Sequence, residues 1–159
     1  MLEPLYEKDF QIWINSTIQH LKNRQFESLD IEHLIEELTG LGKSEQNALK
    51  SNLMILLAHL LKVKVQFDAA PDTMKMSWYN SIIEHRQRVL TSLEDTPSLK
   101  NFLFEAIDKA YPQAYKLAIK ESKFAALGVR IPDPSEYPNI CPFSIEQILD
   151  EDFYGSLSA

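Results

Sequence analysis

The chain is poor in several residues on which small proteins build chemistry. It has one cysteine, Cys141, so no intramolecular disulfide can close and zinc sites made of several thiolates are excluded. Four glycines in 159 residues are few for a β-rich protein or for one that cradles phosphates in a glycine-rich loop. The longest apolar run, "LMILLA" from Leu53 to Ala58, falls far short of the ~20 residues a membrane-spanning helix needs. The opening "MLEPLYEKDF" has neither a basic leader nor an apolar core, which is not the pattern of a signal peptide. With the lone cysteine, this predicts a reducing, cytoplasmic setting. Catalytic signatures are missing as well. There is no Glu-x-x-His, no His-Glu-x-x-His and no Gly-x-Ser-x-Gly. "TGLGKSE" lacks the spacing of a phosphate-binding loop and lies between two helical patterns, not after a strand.

What is present is helical periodicity. The 45% hydrophobic and 25% charged content is an ordinary globular mix, and the length predicts one domain over residues 1–159. Phe10, Trp13, Ile14, Ile18 and Leu21 recur at steps of three and four, one amphipathic face. Asp30 is placed to cap a second helix, with Leu29 and Leu34 as its hydrophobic staple, and Gly40 and Gly42 predict its end. Ser44 then caps a third helix whose leucines, at 49, 53, 56, 57, 60 and 61, form an arc wide enough for a central position. Lys62 is expected to reach the surface along its aliphatic stem. Pro71 breaks the chain into a loop before a fourth helix, with Trp78, Ile82, Val89 and Leu93 in one row. Thr96 and Pro97 start a fifth, and Pro112 predicts a kink or a division within it.

After Gly128 the character changes. Four of the eight prolines, at 132, 134, 138 and 142, predict an extended strap over residues 130–143. Ser144 with Gln147 makes a capping box and Phe143 with Ile148 a staple, so a short helix over 144–151 is expected to pin that strap to the body. The fold predicted is all-α, a bundle of five or six helices.

Several pieces in order along the chain carry a family resemblance: Asp9–Phe10 with Trp13, "LDIE" at 29–32, "EEL" and "LGKSE" within 36–45, and "LLAHLLK" at 56–62 with Gln66. "SW" at 77–78 follows, with Ile82, Glu84 and Arg86, then "DTPSL" at 95–99, "CPFSIEQIL" at 141–149 and "DEDF" at 150–153. Together they resemble a bacterial family known as domain of unknown function 29. The resemblance implies an all-α fold and brings no biochemical activity with it. It has histidine at His59, glutamate at Glu37 and Glu84, and arginine at Arg86. His33, His85 and Val63 depart from it.

His59, in the middle of the leucine arc, is the residue that raises chemistry. A metal site would draw on His59 and His85 with Glu37, and an acid–base site on His59 with Glu36 or Glu37. Neither has the motif support that such sites usually show, so no catalytic residue, metal or cofactor is assigned. The alternative is structural. Glu45, Asn52, His59 and Gln66 recur every seven residues as a polar stripe beside the leucines. A buried network of His59, Arg86, Glu84, Glu36 and Glu37 is then expected between neighbouring helices, with every member paired.

The formal charge of −7 disfavours nucleic acid. It is uneven, however: residues 1–39 hold 3 Lys/Arg against 8 Asp/Glu and residues 40–90 hold 7 against 4. The basic middle, with Lys43, Lys50, Lys62, Lys64 and Lys75, is dispersed instead of forming a strip. The leading functional expectation is a non-enzymatic helical protein that binds a protein partner. Residues 78–90 and 150–157 are candidate surfaces. An enzyme centred on His59 and a weak nucleic-acid binder are the alternatives.

Overall fold

A computed structural model describes residues 4–125 and 130–156; Gly128, named above, and the last residue of the candidate surface 150–157 lie outside them. All the regular structure among the described residues is helical. Within the stretch expected to form one domain, the chain groups into two compact units, Met1–Ser44 and Glu45–Ala159.

In the first unit, a single turn, α1 (Leu5–Lys8), leads into α2 (Phe10–Lys22). The Asp9 carboxylate accepts from the Ile12 amide at 3.0 Å, so α2 starts on a side-chain cap. It ends without the usual glycine. Arg24 takes a left-handed φ of 55°, Gln25 N donates to His20 O and Arg24 N donates to Leu21 O. Those two bonds are the Schellman arrangement, built here on a residue with a Cβ. Of the face expected to be core, Trp13 is buried and Ile14 half-buried, while Phe10, Ile18 and Leu21 stay exposed. A unit of this size has little interior in which to hide a whole apolar face.

The next helix, α3 (Ile31–Gln66), corrects the expected break at Gly40 and Gly42. Asp30 caps it as predicted, accepting from the His33 amide at 3.4 Å, but the helix then runs through both glycines and past Ser44. An interior glycine costs only about 1 kcal/mol against alanine. The neighbouring Glu36, Glu37, Leu38, Leu41, Lys43 and Glu45 are good helix formers, and they outweigh the cap chemistry that Thr39 and Ser44 offer.

In the second unit, the remainder of α3 supplies the centre of the core. Leu49, Leu53, Leu56, Leu57, Leu60 and Leu61 are all fully buried. Each such side chain stabilises by roughly 1.5–3 kcal/mol relative to exposure. The next helix, α4 (Asp72–Asp95), starts earlier than predicted, because Pro71 and Asp72 suit a helix start better than a loop. It buries Trp78, Ile82, Val89 and Leu93, the predicted row. Pro97–Asn101 forms a 3-10 turn, and α5 (Leu103–Ala125) follows as one helix with Pro112 inside it, so the expected division does not occur. Its buried positions include Ala106, Ala110, Ala114 and Ala118 at four-residue steps.

The proline-rich strap contains one 3-10 turn, Pro134–Glu136, and is tied down at both ends. Arg130 bonds both oxygens of Asp68 and one of Glu136, and the Tyr111 hydroxyl donates to the Pro138 carbonyl. The last helix, α6 (Ile145–Leu149), starts on the predicted Ser144–Gln147 capping box. Phe143, Ile148 and Phe153 all join the core.

Candidate functional site

The polar stripe on α3 finds partners on α4. The His85 Nδ1 lies 3.0 Å from Asn52 Oδ1, and the Asn52 amide donates to the Ala48 carbonyl at 3.0 Å. Seven residues on, His59 Nδ1 lies 2.8 Å from the Ile55 carbonyl, and Ser81 Oγ is 3.4 Å from the same nitrogen. A carbonyl only accepts, so Nδ1 carries the proton. The imidazole nitrogen nearest the Ser81 hydroxyl is therefore already protonated and has no lone pair with which to take the hydroxyl proton. A serine nucleophile needs the opposite arrangement. Burial pushes the His59 imidazole below its ordinary value, and the Lys62 ammonium adds to the effect. Burial lowers His85 as well.

Arg86 is 2% exposed, and its Nε donates to the Ile148 carbonyl at 2.8 Å. This bond joins α4 to α6. The network expected around it takes a different form. Glu84 is on the exposed side of α4 and bonds Arg88 at 2.6 Å. Glu37 accepts from the Tyr6 hydroxyl, and Glu36 is exposed. One turn separates Glu84 from Arg88 on the same helix, and that local pair forms without any desolvation cost. Lys62, expected at the surface, is buried and paired with Glu121 of α5. Among the described residues no three His, Cys, Asp or Glu side chains converge as metal ligands.

The first unit has its own cluster. Asp30 Oδ2 accepts from Trp13 Nε1 at 3.2 Å and lies 2.6 Å from His33 Nδ1. The Tyr6 ring stacks on His33 with centroids 4.0 Å apart. The Asp30 carboxylate raises the His33 imidazole, and the same bond lowers Asp30. These contacts hold α1 and α2 against the start of α3. On another side of that helix, Ile31, Ile35, Leu38 and Leu41 are each half or more exposed.

A family model described as a domain of unknown function, DUF29, matches residues 5–154. The chain belongs to the DUF29 family. No curated protein and no solved structure matches it. Membership assigns no chemistry to this DUF29 chain.

Sequence reasoning missed Ser81, Tyr6 and the Ile148 carbonyl. Nothing in a single sequence marks a serine or a backbone oxygen as a partner. Asp30 was legible as a cap, but His33 stood out only as a departure from the family pattern, and the Tyr6 and Trp13 rings come from elements whose docking the sequence does not encode locally. Of the basic middle segment, Lys62 is internal and Lys75 lies beside Asp72, which removes two of its five lysines from any free basic surface. Among the described residues, no helix is long and apolar enough to cross a membrane.

Proposed function

We propose that this DUF29 chain is a protein-binding module that seats a basic amphipathic helix on the exposed face at the start of α3. The observation that carries this reading is the row Ile31, Ile35, Leu38 and Gly42, with Leu41 beside it. At helical spacing these positions share one face, and the three large side chains of the row stand in solvent. Such a row gives one helix an apolar face on which a second helix can pack, ridges into grooves. Exposed Glu32 and Glu36 flank the row, in a segment holding 3 Lys/Arg against 8 Asp/Glu over residues 1–39. The partner's charge is set by that acidic rim. A Cβ placed on Gly42 would meet nothing within 4 Å, so this end of the row is open to close backbone approach.

Calorimetry of the full chain with a synthetic leucine–lysine amphipathic helix tests the reading. Saturable binding that weakens with salt and is lost in Ile35→Asp/Leu38→Asp is expected, with the circular dichroism of the variant unchanged because both positions are exposed. If the double variant binds as tightly as the parent, the α3 face is not the site. If the parent forms dimers that the same substitutions dissolve, the occupant is a second copy and the basic-helix reading fails.

A further inference from the structure

Arg86 presents a chemical problem that the fold leaves open. A guanidinium has five N–H donors. Here Nε is used on Ile148, and among the described residues no group accepts from Nη1 or Nη2, although both are buried. A buried charge with unmet donors is unfavourable unless something pairs with it. Arg86 also lines a cavity of about 240 Å³ with Ile83, Gln87, Glu151 and Tyr154. The side chain that carries the two unmet donors is therefore one wall of that cavity.

We propose that this cavity is a binding site for a small carboxylate with an apolar or aromatic body, anchored by Nη1 and Nη2 of Arg86. With Nε occupied, what remains is the end-on pair of nitrogens, whose fork matches the two oxygens of a carboxylate. The body of the ligand has a place as well. A second cavity of about 450 Å³ shares Ile83 and Tyr154 as walls and adds Met76 and Tyr79. Tyr154 lines both: its ring lies 5.9 Å from the Arg86 guanidinium carbon and packs edge-on to Tyr79 at 5.3 Å. A charged end beside a trough that mixes apolar walls with a few polar groups, here Asn80, Asp152 and Ser156, is the usual construction of a small-molecule pocket.

Charge selects carboxylate over phosphate. Glu151 lines the anchoring cavity and Asp152 the adjoining one, so a dianion would meet two carboxylates for one guanidinium. A monoanion leaves Arg86 neutralised with less repulsion. This site lies wholly in the second unit and is independent of the α3 face proposed above.

Calorimetry of the full chain with phenylacetate, phenylacetamide and inorganic phosphate decides it. Phenylacetate is expected to bind saturably, at least tenfold tighter than either of the others. Glu151→Gln, at an exposed position, is expected to tighten phenylacetate by roughly two- to fivefold, the worth of one partly solvated charge. Ile83→Glu places a carboxylate in the shared wall at a position 52% exposed, where the fold tolerates it, and is expected to weaken binding at least tenfold. Arg86→Met should abolish binding; if that variant does not fold, Ile83→Glu and Glu151→Gln carry the decision. The assignment is overturned by absence of saturable phenylacetate binding, by equal binding of the amide or of phosphate, or by affinity indifferent to Ile83→Glu.

Discussion

The Nε of Arg86 donates to the backbone carbonyl of Ile148 at 2.8 Å, so one buried guanidinium on α4 holds the last helix of the chain in place. Arg86→Met keeps the aliphatic stem but leaves that carbonyl without its donor. Losing a buried hydrogen bond of this kind costs about 1–3 kcal/mol, partly offset by no longer burying a cation. A net destabilisation of about 1–2 kcal/mol is expected in denaturant melts. Hydrogen exchange should rise first across Ile145–Phe153, before α3 or α4 responds. Uniform loosening of the whole unit would mean that Arg86 acts on the core and not on α6.

Gly155 has φ of 96°, and a Cβ there would lie 2.5 Å from the Leu60 carbonyl oxygen. Both facts act against any side chain. A left-handed backbone disfavours alanine, and the obstructing atom belongs to the backbone of a central helix, which cannot turn aside. Gly155→Ala is expected to cost about 1–3 kcal/mol in thermal or urea unfolding. It should also lift the neighbouring Tyr154 from Tyr79, which a change in tyrosine ring-proton shifts reports. An unchanged melting temperature would show that residues 154–156 contribute nothing to the folded state.

How much of this was legible beforehand divides along a physical line. The leucine arc of α3 and the Trp78–Ile82–Val89–Leu93 row were readable because periodicity is a local property and burial follows from it. The Ser144–Gln147 box was readable because capping involves residues three apart. Gly40 and Gly42 misled because two weak helix formers, even with Ser44 beside them as a possible cap, did not outweigh the good helix formers on either side. The site residues failed for another reason. Glu84 was one turn from Arg88, so a short-range pair took it from the expected network, and Arg86 turned to a backbone carbonyl 62 positions away that no pattern of side chains can announce.

The uninterrupted passage of α3 through two glycines gives a prediction of gain. Nothing lies within 4 Å of a Cβ built on Gly40 or Gly42, so alanine fits both. Gly40→Ala and Gly42→Ala should each stabilise the helix by about 0.5–1 kcal/mol. Arg24 offers a matching case of opposite chemistry. Its φ of 55° closes α2 in a conformation natural to glycine, so Arg24→Gly should also stabilise, by about 0.5–1 kcal/mol. Chemical denaturation followed at Trp13 checks the three together. Gly42→Leu separates stability from binding: it keeps the helix but fills the open end of the α3 face, and should weaken a docked helix if that face is the site.

The histidines predict that the two units respond to pH in opposite directions. In the first, the Asp30 carboxylate raises His33 above its ordinary value of about 6.5. A raised histidine contributes stability that is fully present below the unfolded value and is lost as pH rises through the folded one. Contacts around Tyr6, Trp13 and His33 should therefore loosen on moving from slightly acidic to alkaline solution, and His33→Gln should remove that dependence. In the second unit burial lowers His59 and His85. Their neutral forms are favoured by folding, so their contribution is complete above about pH 6.5 and declines as pH falls towards their folded values. Acidification should loosen the α3–α4 seam at Asn52–His85 and His59–Ser81 while it strengthens the His33 cluster. Histidine Cε1 proton shifts give the individual titrations, and amide exchange across pH 5–8 gives the response of each unit. Parallel responses of the two units would contradict the assigned shifts. A His59 that titrates above its ordinary value would contradict the dominance of burial, because the bond from its protonated Nδ1 to Ile55 acts in the raising direction.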